Sequence, residues 1–383
     1  MKMRSIATVA LFVALSTGGC IRLINPAGSG SATSVEPQGS VGSLGSSSLL
    51  NLVTHQDASY VIGQIDFLSQ ASAVTQTGLD SPQSVSVNSD TIFVVDNWNH
   101  RVMAYSHPIS GNGPSANFVL GQTSFTSSAT GNGLNEMHNP ESVQVFGPQL
   151  FVTDQMNNRV LVWNSLPNSN GAPASFEIGD NLTGACTATA LNNPEMSFTD
   201  GSHFLISDIN NKRILIYNSI PTSPAATPNL VLGQSSFTDC TGTSMTTPRA
   251  VWTNGTILAV ADRGLQRVLI WNSFPTVNNQ PWDLELGPSF ADGSSFTGPW
   301  GLVSNGTQLF VSDPSSNFIL GWNSFPTVSN QSADIVLGQS SSTQTGGNTT
   351  QNGLSFPLNM AIYGTDLWVA DWVNKRVIVY DGL

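Results

Sequence analysis

The sequence predicts an all-β chain, a six-bladed β-propeller of four-stranded antiparallel blades, and three observations carry that prediction. First, one frame recurs six times: a Pro, an Asp 14 residues on, an aromatic 9 after that and, in five cases, a Gly 16 further. Its prolines are Pro82, Pro140, Pro194, Pro248, Pro299 and Pro357, and its aspartates are Asp96, Asp154, Asp208, Asp262, Asp313 and Asp371. The aromatics are Tyr105, Trp163, Tyr217, Trp271, Trp322 and Tyr380. Second, each unit of 51 to 58 residues holds four short apolar runs separated by turns, the pattern of a blade repeated around a ring. Third, the glycine missing after Tyr380 turns up at the other end of the chain, in Tyr60-Val61-Ile62-Gly63-Gln64. A strand at about 60–64 then completes the last blade and removes the open sheet edge.

Within a blade, taking the third unit as the example, the strands fall near Met196–Phe198, Phe204–Ser207, Arg213–Tyr217 and Leu230–Gly233. Second and third strands such as Ile92-Phe93-Val94-Val95 and Val160-Leu161-Val162-Trp163 are apolar at successive positions, so both of their faces must be buried. Blades stacked face to face supply that environment, whereas a two-layer sandwich would leave more polar alternation. The aromatics that end the third strands are expected in the core between blades.

The ends divide the chain. Lys2 and Arg4, an apolar run from Ile6 to Leu15, and Ser16-Thr17-Gly18-Gly19-Cys20 form a secretion signal over residues 1–19, too short to span a bilayer. Small residues before a lone Cys resemble a bacterial lipoprotein signal. That resemblance implies lipidation of Cys20, and Ile21 in place of Asp implies the outer membrane of a Gram-negative cell. Thr17 stands where such signals usually carry Leu, and ordinary cleavage nearby is the alternative. Residues 20–57, rich in Gly and Ser, are expected to be a flexible tether, and residues 58–383 the propeller. No transmembrane run follows, so any contact with a membrane is through the lipid anchor only.

With 24 acidic and 12 basic side chains, the chain repels phosphate backbones, which argues against nucleic acid as a partner. Cys186 and Cys240 each lie seven residues after a frame glycine, in equivalent loops of neighbouring blades. In an oxidising compartment they form a candidate disulfide; two free thiols are the other reading.

Four of the six units follow the frame Asp with x-x-Asn-x-Arg, as in Asp96-Asn97-Trp98-Asn99-His100-Arg101 and Asp208-Ile209-Asn210-Asn211-Lys212-Arg213. Asp and Asn favour the turn between two strands, and the Arg can return to pair with a carboxylate. The motif resembles the NHL repeat of one class of six-bladed propellers, which implies the fold and names no activity. Residues that recur around the ring are expected to be structural.

Differences among the units carry the functional clues. The connections from each Gly to the next Pro vary between 12 and 19 residues and share one face with the Asp-x-x-Asn-x-Arg turns. After each frame Pro, facing the channel mouth, stand Gln83, Glu141, Glu195, Arg249, Trp300 and Leu358. Glu141, Asn193 and Glu195 are candidate ligands for Ca²⁺, and two Glu beside an Arg can equally be a buried ion-pair cluster. Trp98, Met156, Trp300 and Trp372 lie on the same face, either exposed for a polypeptide or glycan or packed beneath the loops. With Gln83 and Arg249 they make up the candidate binding face. Lactonase-like propellers resemble a Glu/Asn/Asp calcium site, while the five histidines do not assemble the three-His zinc site of the amidating lyases. No Ser-His-Asp or Cys-His arrangement follows from the spacing, so the catalytic residues, if any, are not identified. The expected function is a non-catalytic, envelope-anchored binding or assembly platform without a cofactor, and the alternative is a Ca-dependent hydrolase or lyase.

Overall fold

A computed structural model describes residues 49–179, 185–287 and 289–382. The signal at 1–19, the lipidation site Cys20 and the tether as far as residue 48 lie outside the described residues. The chain forms six four-stranded antiparallel sheets. In blade one the inner strand is Pro82–Val87, followed by Thr91–Asp96, Arg101–Ser106 and the outer strand Phe118–Leu120. Blade three runs Pro194–Thr199, Phe204–Asp208, Arg213–Tyr217 and Leu230–Leu232, within a residue or two of the sequence reading. In the sixth sheet, Pro357–Tyr363, Asp366–Asp371 and Arg376–Asp381 are joined by Tyr60–Ile62, with Val61 opposite Ile378. Among the described residues no helix is long and apolar enough to cross a membrane.

The register accounts for the repeated frame. In five blades the frame Pro sits opposite the Asp, and in all six the Asp sits opposite the residue five positions on, as in Pro194↔Asp208↔Arg213. The Pro opens its strand, where its missing N–H costs no ladder bond. The glycine marks the end of the outer strand: Gly233 has φ of +87°, and a Cβ there would stand 2.7 Å from the carbonyl oxygen of Lys212. Only a residue without a side chain fits both the backbone and the approach.

Asp208 and Arg213 form a latch rather than a site. The Asp208 carboxylate accepts the Asn192 amide at 2.7 Å on one oxygen, and Asn211 Nδ2 at 2.9 Å and Arg213 Nε at 2.8 Å on the other. The Arg213 guanidinium goes on to the carbonyls of Phe237, Thr187 and Ala190, so one cation fixes the incoming and outgoing connections of the blade. The same Asp, Asn and Arg interlock holds in blades one, two and six. Cys186 and Cys240 are joined by a disulfide across those same two connections, Cα to Cα 6.2 Å.

The core lies between blades, where second and third strands are buried on both faces and the frame aromatics Tyr105 to Tyr380 are all enclosed. Residues 49–57, expected as the end of the tether, are instead packed. Leu50 and Leu52 are buried, Gln308 bonds both the N–H and the C=O of Leu50, and the His55 amide donates to Val336 O. The reason is the apolar run Leu49-Leu50-Asn51-Leu52-Val53, which the Gly/Ser-rich composition upstream obscures.

On the hairpin opposite the latch in blade six, Asp366 faces Asp381 directly, and burial together with that like charge pushes the Asp366 carboxyl up to about 6. A carboxyl raised on folding binds more protons in the native than in the unfolded state, so its contribution to stability improves as pH falls from 7 toward 4. Asp366→Asn is expected to raise the denaturation midpoint at pH 7 and leave it unchanged at pH 4. An equal effect at both pH values would show that the repulsion is absent.

Candidate functional site

The loop-bearing face carries the second-to-third-strand turns and the connections between blades. Its floor is built by the residues after the frame prolines, and the structure brings most of them together. Glu141 and Glu195 start the inner strands of blades two and three and are buried. Each is met by an amide from the turn of the preceding blade: Asn97 Nδ2 donates to Glu141 Oε1 at 3.1 Å, and Gln155 Nε2 donates to Glu195 Oε2 at 3.2 Å. Arg249, from blade four, closes on the same Glu195 oxygen at 2.5 Å. Burial and the nearby Glu195 carboxylate hold the Glu141 carboxyl well above the usual range, with Arg249 pulling the other way. Gln83 is buried beside them on the inner strand of blade one.

From Arg249 the ring turns aromatic. The Arg249 guanidinium lies 3.8 Å from the centroid of Trp300, with Arg263 at 4.8 Å. Trp300 meets Phe356 edge-on at 6.2 Å, Phe356 meets Trp372 at 5.2 Å, and Trp372 meets Trp98 at 5.8 Å. Lys375 lies 5.2 Å from the Trp98 centroid and 3.0 Å from Asp80. Since Trp98 follows Asn97, the partner of Glu141, these contacts run right round the mouth.

The candidates fare differently. Trp98 is 53 % exposed and Met156 50 %, and Trp372 is half-buried, all on the loop-bearing face. Trp300 is not an exposed aromatic: only 8 % of it is accessible, because the arginines on blade four enclose it. The Glu141, Asn193 and Glu195 set does not fit a hard cation. A Ca²⁺ site needs six or more oxygens, yet one Glu195 oxygen is taken by a guanidinium whose charge would repel the ion. Asn193 sits in left-handed backbone at φ of 58°, its amide donating to Asn158 Oδ1, a turn position that suits Asn without any ligand. Among the described residues no three His, Cys, Asp or Glu side chains are gathered as metal ligands.

Sequence reasoning missed six participants, of which Asp80 and Lys375 pair with each other. Asn97 and Gln155 had a signal, an amide directly after the frame Asp in the two blades that precede a Glu. Phe356 had one too: it precedes Pro357 where the other units carry Ser81, Asn139, Asn193, Thr247 and Gly298. Arg263 had none, since its place over Trp300 depends on packing between blades four and five.

No protein-family model matches the chain, and no curated protein matches it in sequence. Among solved structures the chain is similar to a protein provisionally assigned as a 6-phosphogluconolactonase from Bacteroides uniformis, with 15 % identity and a TM-score of 0.50 over 82 % of this chain and 85 % of that one. It is also similar to a virginiamycin B lyase from Staphylococcus aureus, with 11 % identity and a TM-score of 0.42 over 82 % of this chain and 97 % of that one. At such identities the first likeness shows the fold alone, and the second, below a TM-score of 0.5, adds nothing to it.

Proposed function

We propose that the protein is an exported, lipid-anchored propeller of the NHL-repeat type that acts as a non-catalytic binding and assembly platform at the cell envelope. A protein or glycan would dock on the loop-bearing face. The observation that carries this reading is the aromatic band on that face: Trp98, half in solvent, continues through Trp372 and Phe356 to the buried Trp300. Large aromatics anchored from behind and open in front are the residues that dominate docking energies. The disulfide between Cys186 and Cys240 supports export, since such bonds persist in oxidising compartments. The Asp-x-x-Asn-x-Arg latch, found interlocked in four blades, supports the NHL assignment. The pairing of Glu195 with Arg249 counts against the calcium-dependent hydrolase reading.

A photocrosslinking side chain at position 98, in the full-length protein in its native envelope, is expected to capture a partner. The same side chain at Val277, exposed on a third-to-outer-strand loop at the opposite end of blade four, is expected to capture none. Equal capture at both positions would sink the platform reading.

A further inference from the structure

The mouth holds an unusual set of buried polar atoms. Gln83 Oε1, Glu141 Oε2 and Glu195 Oε1 have no hydrogen-bond partner in the protein, and neither do Arg249 Nε, Trp300 Nε1 and Trp372 Nε1. The oxygens belong to blades one to three and the N–H groups to blades four to six. Buried polar groups are nearly always paired, and each orphan opposes folding. Fourteen such atoms occur among the described residues, and six of them fall in this one ring, acceptors on one side and donors on the other, a lining that matches something that both donates and accepts. Hydroxyl groups do both.

The other properties of the ring narrow the class. Its acids are Glu141, Glu195 and Asp80, and its bases are Arg249, Arg263 and Lys375; with the Glu141 carboxyl held well above the usual range, no strong charge of either sign is left to select an ion. The exposed face of Trp98, set at 90° to Trp372, offers a flat apolar surface beside the polar half. We propose that the channel mouth is a binding site for a neutral saccharide, with one sugar ring lying on Trp98 and hydroxyls bonding Glu141, Glu195 and Gln83, whose unpartnered oxygens are closed to solvent until the side chains of the mouth turn toward the ligand. The Arg249, Trp300 and Trp372 N–H groups of blades four to six donate to hydroxyl oxygens on the far side. This deepens the platform reading and rests on it, naming the ligand class at the same face.

Phe356 supplies an independent reason to expect binding here. It is a bulky residue in left-handed backbone, φ of 63°, where the matching positions of blades two and three carry Asn at 52° and 58°. Such strain persists where a side chain is needed for more than the fold. Here the ring of Phe356 bridges Trp300 to Trp372 and so holds the aromatic wall upright.

The test uses the full-length protein on an array of neutral oligosaccharides of glucose, galactose, mannose and N-acetylglucosamine, followed by calorimetric titration of the hits. At least one is expected to bind at millimolar concentration or better. Trp98→Ala, at an exposed side chain, is expected to weaken it tenfold or more, and Val277→Ser to leave it unchanged. Phe356→Asn is expected to raise the thermal midpoint while weakening the same sugar, a split that a purely structural role would not give. If no neutral sugar binds and the position-98 crosslinker captures a polypeptide, the saccharide assignment falls and the platform stands. If there is neither binding nor capture, both fall. Binding of charged sugars alone, or of neutral sugars unaffected by Trp98→Ala, also overturns the proposal.

Discussion

Arg213→Met is expected to lower the unfolding free energy by about 3–5 kcal/mol, the cost of removing one partner from a buried ion pair. The Asp208 carboxyl is already pushed upward by burial even with the Arg213 guanidinium beside it. Without the arginine, that carboxylate keeps its desolvation cost and loses its counter-charge, and the carbonyls of Thr187, Ala190 and Phe237 lose their donor. The blades supply their own control series. In blade four, Arg267 Nε stands 3.8 Å from Asp262 Oδ2 and the arginine is partly open to solvent, so Arg267→Met is expected to cost only about 1 kcal/mol, the value of a hydrogen bond or two. In blade five the arginine is already absent: Phe318 sits opposite Asp313, whose carboxylate is met by the amides of Thr297, Gly298 and Ser316 and by Thr297 Oγ1. Guanidinium denaturation of the single variants, with Asp208→Leu/Arg213→Met as the compensated pair, measures the series. Recovery in the pair is expected to be partial, because the three loop carbonyls stay unpaired. Equal losses at Arg213 and Arg267 would mean that the latch geometry does not set the stability.

This latch also explains why the fold was legible in the sequence and the site was not. A blade repeats its physics, so Pro, Asp, Asn, Arg and Gly recur at fixed spacing, and the register that pairs Pro194 with Asp208 and Asp208 with Arg213 is written in those intervals. Exact repetition makes the strands, the turns and the buried aromatics readable. The mouth is made of what does not repeat. Glu141 and Glu195 stood out because two neighbouring units share Asn-Pro-Glu, but the amides that meet them come from the preceding blades. For Trp300 the sequence leaves exposure open, since its burial depends on Arg249 and Arg263 folding over it. The hydrophobic stretch at 49–53 shows the same limit: composition averaged over the tether hid a short run that docks onto Gln308. What the sequence leaves dark is contact between units, where each residue's partner is dictated by the ring and not by the interval.

Reduction of the Cys186 to Cys240 bond is the other change with a large expected effect. The bond spans 54 residues, and the loss of chain entropy it imposes on the unfolded state corresponds to about 4 kcal/mol. Here it spans one full blade, tying the connection that enters blade three to the one that leaves it. Arg213 holds the same connections through Thr187, next to Cys186, and Phe237, three residues before Cys240. Reductant is therefore expected to shift the denaturation midpoint of the wild-type chain strongly downward, and to leave Cys186→Ser/Cys240→Ser, already at the lower midpoint, unmoved. The sign bears on where the protein works. In a compartment that keeps thiols reduced the chain would have to fold without this bond, and a large shift means that the blade reaches its full stability only where disulfides form. An unchanged midpoint would show that the latch alone holds the two connections, and the argument for export from the cysteines would fail.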